Sequence, residues 1–386
     1  MPTVEVDVSP HVLRWALNRS GKESAIEEKF PQISEWLSKK SKPTLRQLEE
    51  LAKVTYTPLG YFFLPEPPED QLPVPYFRTA NKKLINQEQF SINLIETVQT
   101  MKLRQDWMRE YLIEQGQEPL PFVNSAKLDD NPYQVAKNIR KTLNLENGWA
   151  SNFPSWTTAL RELQKRMENV GIIVVVNGIV GNNTHRKLNP EEFRGFVLVD
   201  EYAPLVFVNG ADAKAAQMFT LAHELAHLWF GKSAAFDLKE LQPANDKTEQ
   251  ICNIVAAEFL VPEDEFQQIW PDISHESEPY QILARFFKVS ELVVARRALD
   301  LGYITKDEFI EFYNNYQAKE HSTTRDEEGG NFYATQNLRI GRRFAEAVIS
   351  AVREGKLLYR EAYRLTGLYG DTFDKYAELL GFGGPK

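Results

Sequence analysis

Apolar residues in the first sixty or so positions recur at helical spacing. In TLRQLEELAKV, Leu45, Leu48, Leu51 and Ala52 share one helical face, and short helices with tight connections are expected over residues 9–64, closing on the apolar run PLGYFFLP. The prolines of PEPPEDQLPVPYF then withhold backbone donors and fix an extended path, so a boundary is expected near residue 65. From 86 to 116, Ile92, Ile95, Met101 and Leu112 are spaced for a helix that Gly116 can end, and further helices are expected over 132–143 and 154–170.

The period then shortens. IIVVVN (172–177), FRGFVLVD (193–200) and PLVFVNG (204–210) are short β-branched and aromatic runs bounded by Gly, Asn, Asp or Pro, which predicts a small sheet of about three strands. Helices are expected over Ala213–Phe230 and Asp246–Leu260, the second stopped by Pro262. More helices run to about 318, and KEHSTTRDEEGGN is charged with no apolar period. The expected class is α+β, mostly helical. It divides into a small helical domain (1–65), a linker and helical connector (66–150), a sheet-bearing domain (151–318), a linker (319–331) and a C-terminal helical module (332–386).

Composition narrows the partners. At 386 residues, 42% hydrophobic and 26% charged, the chain has the make-up of a folded protein of about two or three domains. A net charge of -9 argues against a surface built throughout to neutralise phosphates. Residues 1–65 hold nine Lys or Arg against eight Asp or Glu, and only WLSKKSKPTLR is locally basic. Lys39, Lys40, Lys42 and Arg46 are therefore the candidate phosphate contacts, giving DNA a sequence-independent foothold or else forming a solvated turn. Cys252 is the single cysteine, so no intramolecular disulfide is expected and a zinc site would use His and carboxylate ligands. The opening MPTVEVDVSPHVLRW lacks a basic stretch followed by an apolar run, and no window approaches the ~18 apolar residues of a membrane span. A cytoplasmic protein with no membrane partner is expected.

The chemistry concentrates in FTLAHELAHLWF. Residues advance by roughly 100° in a helix, so His223 and His227 project from one face and can reach one metal ion. Glu224, beside a ligand, is placed to take a proton from water activated by zinc. Catalytic zinc uses a third protein ligand. Glu249, 22 residues after His227 at the start of EQICNIVAAEFLVP, is the leading candidate, although an acidic residue there also complements a helix N-terminus. Glu258 is the fallback, with Asp246 and Asp237 behind it, and Cys252 reads as a packed core thiol. Asn253, one turn after Glu249, can orient that carboxylate or one of the histidines. His185, in the polar loop GNNTHRKL expected between the first two strands, is a candidate donor to a developing oxyanion, with Tyr202 behind it.

These residues, with the run GIVGNNTHRKLNPEEFRGFVLVDEYAPLVFVNGADAKAAQMFTLAHELAHLWFG, resemble the ImmA/IrrE family of bacterial zinc metallopeptidases over roughly residues 155–300. The resemblance implies a zincin-like core with the family's HExxH on His223, Glu224 and His227 and its ExxxN on Glu249 and Asn253. Residues 33–64 resemble the later helices of an XRE-type helix-turn-helix domain, while SGKESAIEEKFPQ departs from that pattern's scaffold helix. Residues 282–304 also have a helix-turn-helix look, which packing beneath the zinc helix explains as well.

The expected function is a zinc endopeptidase cleaving one cytoplasmic protein. The resemblance implies a repressor or a toxin–antitoxin or phage-defence partner as its target. The alternative is a regulator or antitoxin that binds DNA and a partner protein and uses the peptidase fold with little turnover.

Overall fold

The computed structural model describes residues 4–68, 76–77, 90–232, 234–236, 247–320 and 332–383. The chain forms two compact units, one of Met1–Pro73 with Lys82–Gln99, the other of Val74–Asn81 with Thr100–Lys386.

In the first unit, α1 (Pro10–Ser20), α2 (Glu23–Lys29), α3 (Ile33–Leu37) and α4 (Leu45–Thr55) are followed by a 3-10 turn at Leu59–Phe63. Thr44 and Gln47 close a reciprocal capping box that starts α4, satisfying two otherwise orphaned donors. Leu48, Leu51 and Ala52 are buried with Leu13, Ile26, Trp36 and Phe62. Leu45, expected on the same face, is 37% exposed. It is the first helical residue, beyond the reach of that core.

The second unit is built on a sheet. Its elements in chain order are β1 (Tyr76–Phe77), α5 (Ile92–Glu114, whose first residues belong to the other unit), α6 (Pro132–Thr142), α7 (Trp156–Asn169), β2 (Ile173–Asn177), β3 (Ile179–Val180) and β4 (Asn183–Lys187). There follow β5 (Gly195–Leu198), β6 (Leu205–Asn209), α8 (Lys214–Phe230), β7 (Ala234–Phe236) and α9 (Lys247–Leu260). The remaining helices are α10 (Glu263–Ile273), α11 (Pro279–Phe287), α12 (Glu291–Asp300), α13 (Lys306–Glu320), α14 (Phe332–Gln336), α15 (Arg342–Arg353), α16 (Tyr359–Thr366) and α17 (Asp371–Ala377).

The fold is α+β and mostly helical, with β2, β6 and β5 as the three-stranded heart of the sheet. β2 runs parallel to β6, β5 antiparallel to it, and the short strands β7 and β1 extend the sheet beyond β5 in the order β1-β7-β5-β6-β2. Every residue of β2, β5 and β6 is buried, as continuous apolar runs require of a sheet covered on both faces. The pair β3–β4 is an antiparallel hairpin where a polar loop was expected, and Arg186 is the single buried residue of β4.

α8 lies against β5 and β6, and α9 and α7 pack on α8. Trp229 and Phe122 stack at 4.7 Å beside Asn138, which accepts the indole N–H at 2.9 Å. α11 and α12 bury Leu283, Phe287 and Val294 in this same core, which accounts for the apolar spacing of residues 282–304 by packing. The expected linker at 319–331 falls largely outside the described residues, as do Asp237 and Asp246. No helix among the described residues is long and apolar enough to cross a membrane.

Candidate metal centre

From Gln217 to Phe230 every side chain of α8 is buried. A helix apolar nearly all round belongs in a core, and a polar triplet His223, Glu224 and His227 with no solvent exposure at its centre needs a specific reason. The ends of α8 are tied down. Gln217 donates to the carbonyls of Gly210 and Asp212 at 3.1 and 2.6 Å, and backbone N–H groups of Asn124 and Ala126 reach the carbonyls of Leu228 and Trp229, both at 2.9 Å. Gly231 ends the helix at φ 68°, where a Cβ would lie 2.3 Å from Asn124 Oδ1, so only glycine fits.

α9 brings Glu249 and Asn253 to the histidines. The Nε2 atoms of His223 and His227 are 3.0 Å apart, and the Glu249 carboxylate lies 3.1 Å from His223 Nε2 and 3.2 Å from His227 Nε2. These three side chains form the cluster among the described residues with the donor set of a metal site. Asn253 Oδ1 sits 3.0 Å from His223 Nδ1. With the proton on Nδ1 donated to Asn253, Nε2 of His223 presents a lone pair to the centre. Two imidazole nitrogens and a carboxylate then converge on a dry point, an arrangement that calls for positive charge. The spacings fit a cation: tetrahedral bonds of about 2.05 Å place neighbouring ligand atoms roughly 3.3 Å apart. The donors are the nitrogen and oxygen types that zinc accepts.

Burial lowers the His223 pKa, against the pull of Glu249. Burial also pushes the Glu249 carboxyl up, but hydrogen bonds and charge from the two histidines outweigh it and hold that carboxyl well below the usual range. The Glu224 carboxyl is raised well above its ordinary value, first by burial and then by the Glu249 charge. Both Glu224 oxygens are buried without a hydrogen-bond partner among the described residues. Gly195 on β5 passes directly over this carboxylate: a Cβ there would meet Thr220 Cγ2 at 2.5 Å, the Phe207 carbonyl at 2.8 Å and Glu224 Oε1 at 3.4 Å. Sequence reasoning missed Gly195, although a glycine inside FRGFVLVD is the signal for a close backbone approach.

Other sequence candidates lie elsewhere. Glu258 is buried against Arg297 and accepts the Glu263 N–H, outside the histidine cluster. Cys252 packs in the hydrophobic core. His185 is exposed on β4, a strand rather than a loop, and Tyr202 lies beneath the Arg109 guanidinium at 5.6 Å. In the first unit Lys39, Lys40, Lys42 and Arg46 are exposed, with Lys42 3.5 Å from Asp7 and Arg46 3.6 Å from Glu50.

Residues 168–299 match the model of the M78 peptidase family, an IrrE N-terminal-like domain, and residues 340–379 match a domain of unknown function, DUF8813. No curated protein and no solved structure matches the chain. The first match contains α8 and α9, supports the ImmA/IrrE resemblance over that stretch, and suggests a metallopeptidase-type function.

Proposed function

We propose that the chain is a zinc-dependent endopeptidase that cleaves one dedicated cytoplasmic protein, a repressor or a toxin–antitoxin or phage-defence partner. His223, His227 and Glu249 are its metal ligands and Glu224 its proton carrier. The observation that carries this reading is the convergence of three ligand side chains, each pair of them meeting at 3.0–3.2 Å, next to a buried carboxylate without a hydrogen-bond partner among the described residues, inside an IrrE-like stretch.

When bound, zinc supplies Lewis acidity, lowering the pKa of water toward neutrality and polarising a carbonyl. Asn253 holds His223 in the tautomer that directs Nε2 inward. Glu224 takes a proton from the attacking water and delivers it to the amide nitrogen as the C–N bond breaks, so peptide and water become a carboxylate and an amine. Among the described residues no competing donor holds its oxygens back. A structural zinc site would be closed by a fourth protein ligand, and no fourth His, Cys, Asp or Glu joins the cluster among the described residues.

The test is incubation of the purified full chain with the product of the adjacent gene. Wild type is expected to cut it once zinc-loaded, and Glu224→Gln to retain zinc and cut nothing. Cleavage by that variant would sink the mechanism.

A further inference from the structure

Away from the metal centre, the Thr100–Glu114 part of α5 and the C-terminal helices α15 and α16 enclose a cleft of about 310 Å³. One wall is aromatic: Trp107 and Tyr111, a turn apart on α5, stack with centroids 5.2 Å apart and planes 11° from parallel. Phe344 braces Trp107 edge-on at 5.6 Å, so the wall is fixed. Leu357 and Leu365 supply apolar surface at its base.

The rim is acidic. Glu110 and Glu114 stand exposed one turn apart on α5, and Glu361 faces them from α16. Of the two cations lining the cleft, Lys356 is already held by Glu354 at 2.7 Å and also feels the charge of Glu114, which leaves Arg364 against three carboxylates. An acidic ligand would be repelled, and a purely apolar one would leave the rim unused.

We propose that this cleft docks an arginine side chain of a polypeptide partner. A planar guanidinium lies well over an aromatic wall and offers several N–H donors to carboxylates spaced one turn apart, while its methylene stem covers the leucines. Lysine, a compact and strongly hydrated charge, fits the flat wall less well. The cleft lies outside residues 168–299 and takes one wall from residues 340–379, so the assignment stands independently of proteolysis.

The experiment titrates the full chain with a hexa-arginine peptide and follows tryptophan fluorescence and heat. Binding is expected to weaken at least tenfold in Glu110→Gln/Glu114→Gln, to be unchanged in the surface control Glu27→Gln/Glu28→Gln, and to lose its fluorescence signal in Trp107→Phe. Hexa-lysine is expected to bind several-fold more weakly and hexa-glutamate not at all. All these substitutions are at exposed or half-buried positions, and circular dichroism verifies folding. Equal affinity in wild type and Glu110→Gln/Glu114→Gln, or equal loss in the control, would overturn the proposal. So would N-acetyl-arginine amide binding as tightly as the peptide, which would make this a small-molecule site.

Discussion

Gly195→Ala adds a single methyl group to the strand that crosses the candidate catalytic carboxylate. Built on the native backbone, that methyl lies 2.5 Å from Thr220 Cγ2 and 2.8 Å from the Phe207 carbonyl oxygen. β5 cannot retreat, because Gly195 is in register with Val208 on one side and Phe236 on the other. Overpacking of this kind costs about 1–3 kcal/mol, and a backbone oxygen among the clashing atoms places this case at the upper end. In a unit of this size the melting temperature should fall by roughly 3–5 °C. Glu224 Oε1, 3.4 Å from the new methyl, stays in ordinary contact with it, but the shift forced on Thr220 and β5 moves the strand beside that carboxylate, and turnover should drop roughly tenfold while zinc, held from α8 and α9, stays bound. Thr220→Ser removes Cγ2 but leaves the Phe207 carbonyl in place, so the double variant should recover about 1 kcal/mol relative to additivity. Urea unfolding, zinc content and cleavage rate on the four proteins measure this. Wild-type stability and turnover in Gly195→Ala, or strict additivity in the double variant, would refute the reasoning.

Other consequences are equally open to measurement. Asn253→Ala should weaken zinc about 10–100-fold in a chelator competition, because His223 loses the partner that sets its tautomer. Burial raises the Glu168 carboxyl from 4.5 to about 7, with the Arg343 and Arg342 backbone N–H groups opposing the shift. The fold therefore favours the protonated form: stability from this group is complete below about 4.5 and is lost as pH rises through about 7, a change of roughly 3 kcal/mol. Unfolding curves from pH 4.5 to 8 should show the loss, and Glu168→Gln should remove this part of the slope. Arg297→Met should cost roughly 3–5 kcal/mol in urea unfolding by leaving Glu258 buried and unpaired, whereas Arg297→Met/Glu258→Met should restore most of it.

The parts legible in the sequence are those where burial writes a long or saturated pattern. β2, β5 and β6 are buried on both faces and read as unbroken apolar runs. From Leu221 to Phe230 the polar residues of α8 are His223, Glu224 and His227 alone, so the motif stands out. The hairpin strand β4 left no such trace, since four of its five side chains are exposed and nothing alternates. β1 and β7, two and three residues long, are defined by their neighbours in the sheet rather than by their own composition. Pairing is likewise invisible along the chain: nothing in the sequence shows that Glu258, the fallback ligand, is taken up by Arg297, 39 residues after it. Contacts made through the backbone are equally invisible: the Arg343 backbone N–H binds Glu168 at 3.2 Å and the Arg339 carbonyl accepts from Arg104 at 3.1 Å. Those contacts seat the C-terminal helices on α5 and α7, with charged residues contributing through their backbones.

The central claim is the ligand set, and equilibrium zinc binding to the full chain tests it most directly. Wild type and Glu258→Ala should each bind one zinc ion per chain, while Glu249→Ala should lose affinity at least a hundredfold. Loss of zinc in Glu258→Ala with retention in Glu249→Ala would contradict the account.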